Sequence, residues 1–238
     1  MNAVFKEFKQ SLSAANTYLD CLVQTKTYLQ FLILIIFCIT TVYIPFPSFT
    51  LNYIKELDIL MQYIIKAVYF SFPISLVFLF IMWDRRFLLS KKITFQQLKI
   101  SFFSAFIIYV IMLLFLAVLI SFTTFKGTSN PIGNEGITNT LHKAPGIAIQ
   151  LIGENIMFVS ILFFWHKIIR SFIISPITSI TASLILSGSS FGLLHLSTYN
   201  YNWVQCLTII GIPAISQMIF FLIFKNFIWD TYFTSITI

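Results

Sequence analysis

A chain of 238 residues that is 58% hydrophobic and only 10% charged, with 28 phenylalanines, cannot cover itself with water-facing side chains and is not a soluble domain. Its length leaves room for one membrane domain of several helices and none for a separate soluble catalytic domain. The net charge of +7 raises a nucleic-acid reading that the placement of the charges removes. Three widely spaced cysteines, Cys21, Cys38 and Cys206, imply neither a disulfide framework nor a zinc finger.

The predicted fold is an all-α integral membrane protein, a bundle of about six transmembrane helices with a short C-terminal half-span. Residues 1–27 form a polar N-terminal segment. Val4, Phe5, Phe8, Leu12, Ala15 and Leu19 recur in it at helical spacing, which fits a helix lying on the membrane surface. A loosely ordered tail fits as well. A secretory signal does not, since the first apolar run begins only near Tyr28 and no small-residue cleavage site follows.

Residues 28–238 read as the polytopic domain. The first span runs from Tyr28 to about Ile44 and is closed by Pro45 and Pro47. The second, from about Ile59 to Trp83, contains Lys66 and Pro73, and the third covers about Ser101 to Phe125. The Gly-, Pro- and Asn-rich stretch from Lys126 to Gly146 reads as an irregular loop. Spans four, five and six follow at about Ile147–Trp165, Pro176–Leu196 and Cys206–Phe224. The remaining apolar stretch, Asn226 to Ile238, is only about 20 Å long as a helix and too short to cross.

Lysine and arginine placement sets the orientation. Arg85, Arg86, Lys91, Lys92 and Lys99 lie between spans two and three, and Lys167 and Arg170 between four and five. Lys6, Lys9 and Lys26 precede the first span, and Lys225 follows the sixth. The opposite side carries Lys55, Lys126 and Lys143, offset by Glu56, Asp58 and Glu135. The positive-inside rule then predicts a multi-pass cell-membrane protein with both termini cytoplasmic. The basic balance becomes an orientation signal and a contact with anionic lipid, so the lipid bilayer is a partner and nucleic acid is not.

Two ionisable residues stand inside apolar segments, Glu154 in span four and His195 at the end of span five. Such residues are costly in a bilayer, by about 3 kcal/mol on insertion scales, and usually face a partner or a water-filled cavity. Span four runs inward and span five outward, so both residues fall in the outer half of the bilayer and can meet. Gln150, one turn before Glu154, faces the same side. The simpler readings are a structural Glu154 paired with Lys66, and an interfacial His195. Ser179, Ser183 and Ser187, four apart, read as a small-residue stripe for close helix contact, not as a nucleophile. His142 and His166 are predicted to lie solvated in loops. Tyr199 to Trp203 form either an interfacial aromatic belt or the mouth of a site.

Gly153-Glu154-Asn155 and Phe191-Gly192-Leu193-Leu194-His195 together resemble the CPBP (Abi, CAAX-protease-like) family of intramembrane endopeptidases, over about residues 147–238. In that family a Glu-Glu pair on one span and Phe-x-x-x-His on the next build the active site. A His-x-x-x-Asn motif follows on a later span. Here Glu154, Phe191 and His195 match, Asn155 takes the place of the second glutamate, and Val159 that of a frequent arginine. Ser235 stands where the third-motif histidine belongs.

The resemblance implies peptide hydrolysis in or near the membrane, with Glu154 activating water and His195 assisting, and with Asn155 and Phe191 in support. It also implies a peptide or membrane-protein substrate, and a role in peptide processing or bacteriocin self-immunity. The alternative is a catalytically degenerate relative that binds or shields a partner. The cofactor is left open: a divalent metal such as zinc normally takes three protein ligands, and only Glu154 and His195 present themselves.

Overall fold

The computed structural model describes residues 2–44, 53–89, 94–122 and 137–225. Helices are α1 (Asn2–Val23), α2 (Tyr28–Tyr43), α3 (Ile59–Met82) and α4 (Phe95–Phe122). They continue as α5 (Ile137–Phe172), α6 (Pro176–Leu194) and α7 (Ile212–Phe224). One helical turn, Trp203–Gln205, and a π-helical segment, Cys206–Gly211, lead into α7. No strand occurs among the described residues.

Among the described residues, four helical stretches are long and apolar enough to cross a bilayer: Ile59–Leu89, His142–Phe172, Pro176–Leu194 and Trp203–Phe224. Gln10–Val23 and Tyr28–Tyr43, bent by 93°, pass the same test only as a pair, as a broken span or a re-entrant loop would. The outside of the bundle is apolar, with Phe72, Phe80, Phe103 and Ile185 all exposed. A surface of that kind belongs in lipid rather than water. Helix α4 overlaps the third predicted span from Ser101 to Phe122, whereas the C-terminal half-span and Ser235 lie outside the described residues.

Local chemistry moves several predicted boundaries. Helix α2 starts where expected because Thr27 and Gln30 form a reciprocal capping box. Thr94 and Gln97 make the same pair of bonds, at 2.9 and 3.3 Å, and begin α4 six residues before its apolar run. The largest correction is at α5. The stretch expected to be an irregular loop up to Gly146 is helical from Ile137, with Pro145 inside the helix, and the helix continues past Trp165 to Phe172. His142 is therefore helical rather than in a loop, although it is exposed as expected.

Helix α5 is the hub, packed against α3 along its length and against α6 and α2. The α3 contact is close because α5 presents glycine: a Cβ on Gly153 would stand 2.5 Å from Ser71 Oγ and 2.8 Å from Ser71 Cα. Ser71 Oγ also donates to the Ile149 carbonyl at 2.7 Å. The aromatic core lies between these helices, where Phe163 meets Phe31, Phe78 and Phe221.

On the other side, α6 lies against the π-helical segment, and the contact is backbone on backbone. A Cβ on Gly192 would be 2.5 Å from the Cys206 carbonyl oxygen. Because that neighbour is main chain, it cannot swing aside. Gly192→Ala is expected to cost about 1–3 kcal/mol, read as a lower unfolding midpoint in detergent. An unchanged midpoint would show that the two segments separate without cost.

Helix α1 is not a lone surface helix. Leu19 and Leu22 are fully buried, and the helix sits across the ends of α5, α6 and α7. Its end of the bundle holds several of the cations. Lys26 pairs with Asp84, Lys167 Nζ donates to the Val23 carbonyl at 3.1 Å, and Lys225 lies over the Tyr18 ring. The opposite end holds the cavity.

Candidate functional site

Glu154 and His195 line one cavity of about 570 Å³ at that opposite end. Each is half-buried. Asn155 and Phe191 line it too, so the four residues singled out in the sequence converge. Glu154 is presented by the same turn of α5 whose glycine seats it against α3. Gln150, one turn earlier, donates from Nε2 to Glu154 Oε1 at 2.7 Å. Lys66 is exposed and makes no ion pair with Glu154 among the described residues; its Nζ lies 5.8 Å from the Tyr63 ring centre instead.

The spacing of Phe191 and His195 places both on one face of the last turn of α6, and Phe191 holds the imidazole twice over. Its ring meets the His195 ring edge-on at 4.9 Å, and its carbonyl lies 3.0 Å from His195 Nδ1. A carbonyl oxygen only accepts, so Nδ1 carries the proton. Nε2 is therefore the ring nitrogen left for a ligand. Phe191 is itself held by Phe158, ring centre to ring centre 4.8 Å. Glu154 and His195 make no bond to each other among the described residues, and both line the same cavity.

The turn after His195 divides its aromatic residues. Tyr199 is buried and lines the cavity, while Tyr201 and Trp203 point outward and are exposed. Asn200 and Tyr201 both take positive φ, 49° and 59°, which turns the chain back toward α7. Burial, with smaller contributions from Cys206 and the Glu154 carboxylate, pushes the Tyr199 phenol above its ordinary value. Gln205 and Gln217, from the first turn and the last helix, complete the polar wall. No sequence pattern marks these two as site residues: the turn after α6 brings in Gln205, and the π-helical segment sets the facing of Gln217.

The donor set among the described residues does not fit a catalytic metal. Among the described residues no three His, Cys, Asp or Glu side chains converge, and the cavity supplies one carboxylate and one imidazole.

His166 corrects the expectation of a solvated loop histidine. It lies inside α5 and is fully buried, with Nε2 3.0 Å from Asp20 Oδ1 of α1 and Nδ1 3.3 Å from Ser183 Oγ of α6. Arg170 Nε donates to the same carboxylate at 3.2 Å, and Asn16 Nδ2 at 2.9 Å. Ser183 in turn donates to the Ser179 carbonyl at 2.7 Å. The three stripe serines are fully buried among helices, as close contact requires. This cluster lies at the α1 end, away from the cavity, and ties three helices together.

Comparison with family models, with curated proteins and with solved structures returned no match. The resemblance to CPBP endopeptidases thus rests on the motif residues of the sequence.

Proposed function

We propose that this chain is a CPBP-like intramembrane endopeptidase that hydrolyses peptide bonds at the cavity. What supports the reading is that Glu154 and His195, from different helices, line one cavity without bonding to each other. Glu154 takes a proton from water, and the oxygen attacks the peptide carbonyl carbon. The carbonyl electrons move onto oxygen, where Tyr199 is placed to donate. His195 Nε2, the nitrogen left available by the Phe191 carbonyl, relays the proton to the departing amide nitrogen as the C–N bond breaks. Purified protein in nanodiscs should cleave an apolar reporter peptide, and His195→Ala should not. A wild type with no hydrolysis of any presented peptide would overturn the reading.

The second reading is a non-catalytic membrane binding or immunity protein with the same cavity. Asn155 favours it: an amide, buried to 1% exposure, stands where the family places its second acid.

In the same proposal the bundle has six spans, with α4 as the third, and its basic end faces the cytoplasm. Exposed Cys21 then escapes an impermeant thiol reagent in intact cells, whereas Thr198→Cys, at the cavity end, is labelled. The reverse pattern would invert the orientation and put the cavity in the inner half.

A further inference from the structure

The cavity wall carries a single formal charge. Among the described residues that line it, Glu154 is the only carboxylate, and no lysine or arginine is present. The rest is amide, hydroxyl and imidazole, from residues such as Gln217, Thr41 and His195, set among aliphatic and aromatic side chains. Glu154 accepts one hydrogen bond, from neutral Gln150, and makes no ion pair among the described residues. A carboxylate has about four acceptor positions. One amide neither fills them nor neutralises the charge, and an uncompensated charge in such a site is costly. Among the described residues, Lys26, Arg170 and Lys167 are engaged at the other end of the bundle with Asp84, Asp20 and the Val23 carbonyl, while Lys66 and Lys143, a turn away from the wall residues Phe70 and Ile147, lie over the Tyr63 ring and outside the cavity lining.

From this we infer that the cavity selects a cationic guest: the ammonium or guanidinium of a basic peptide residue, seated on Glu154, with its apolar stem against Phe70, Phe191 and Ile209. Lysine and arginine have that form, an aliphatic stem ending in a charge. The inference rests on the peptide reading above and adds what it leaves open, namely the kind of residue taken. It also separates the duties of the two side chains: Glu154 recognises the cation as well as activating water, while His195 has no part in charge selection.

The test is equilibrium binding of two labelled apolar peptides, one with a central lysine and one with Nε-acetyl-lysine, to the full chain in phosphatidylcholine nanodiscs. The His195→Ala variant is used so that binding is read without turnover. The lysine peptide is expected to bind about 10- to 100-fold more tightly, the size of one charge-assisted contact. Glu154→Asp should keep the preference, and Glu154→Gln should reduce it to within about twofold. Equal binding to the His195→Ala protein, or a preference that survives Glu154→Gln, would overturn the inference. So would competition by phosphatidylethanolamine added to the nanodisc, which would make the cation a lipid headgroup. Should wild type fail to hydrolyse either peptide while the preference is present, the endopeptidase reading falls and this one stands.

Discussion

Glu154→Gln is expected to lower hydrolysis of a reporter peptide by about 10²–10⁴-fold, the usual loss when a general base goes, with the protein's abundance in the membrane unchanged. Glutamine has the same length and keeps an oxygen to accept the 2.7 Å bond from Gln150. The contact of Gly153 with Ser71, which seats this turn of α5, is untouched. What is lost is the ability to take a proton from water. Burying an uncharged amide is also easier than burying a carboxylate, so the variant should unfold no sooner than wild type. In a cell the same substitution separates the two readings. A peptidase loses its effect. A binding protein whose partner does not use the charge retains it, and a silent Glu154→Gln there would favour the binding reading.

The second large effect is expected at the other end of the bundle. Asp20→Ala should cost about 2–3 kcal/mol, because one carboxylate accepts from His166, Arg170 and Asn16 together. His166 has no exposure to water, so nothing replaces the lost acceptor at Nε2. Asp20 itself is 30% exposed, which holds the cost below that of a fully buried pair. Asp20→Asn, which still accepts at one oxygen, should lose roughly half as much. The local signature is faster amide hydrogen exchange along Tyr18–Val23, with α5 and α6 little changed. Uniform exchange across the bundle, or no loss of stability, would show that this cluster does not secure α1.

Much of the bundle was legible because apolar runs of span length have few alternatives. Helices α2, α3 and α6 begin and end within two residues of the predicted spans. Hydropathy failed where polar residues continue a helix. The Thr94-x-x-Gln97 box is a local start signal that the apolar run of α4 overshadowed. At α5 the polar flanks from Ile137 and through Arg170 remain helical, since Lys143, Lys167 and Arg170 all find partners on neighbouring elements. His166 could not be read correctly from its surroundings. Its histidine-lysine-arginine neighbourhood looks like an exposed loop, and the acid that explains it is 146 positions away. Part of the cavity lining was legible in the motif residues, as the four-residue step from Phe191 to His195 fixes a shared helix face. Tyr199, Gln205 and Gln217 were not, because a turn with two positive-φ residues and a π-helical segment bring them in.

That π-helical segment, Cys206–Gly211, holds roughly one residue more than an α-helix of the same span. The surplus is a place where the chain can change length without losing its path through the bilayer. Deleting one residue there, Thr208 for example, lets the segment close into ordinary α-helix. Everything beyond it would then keep nearly its present facing, because five α-helical residues turn the chain about as far as the six π-helical ones. Gln217 and Ala214 would stay at the cavity, and only side chains of the segment itself would be re-aimed. A one-residue change of length is thus absorbed here, whereas the same deletion within α7 would turn all that follows by about 100°.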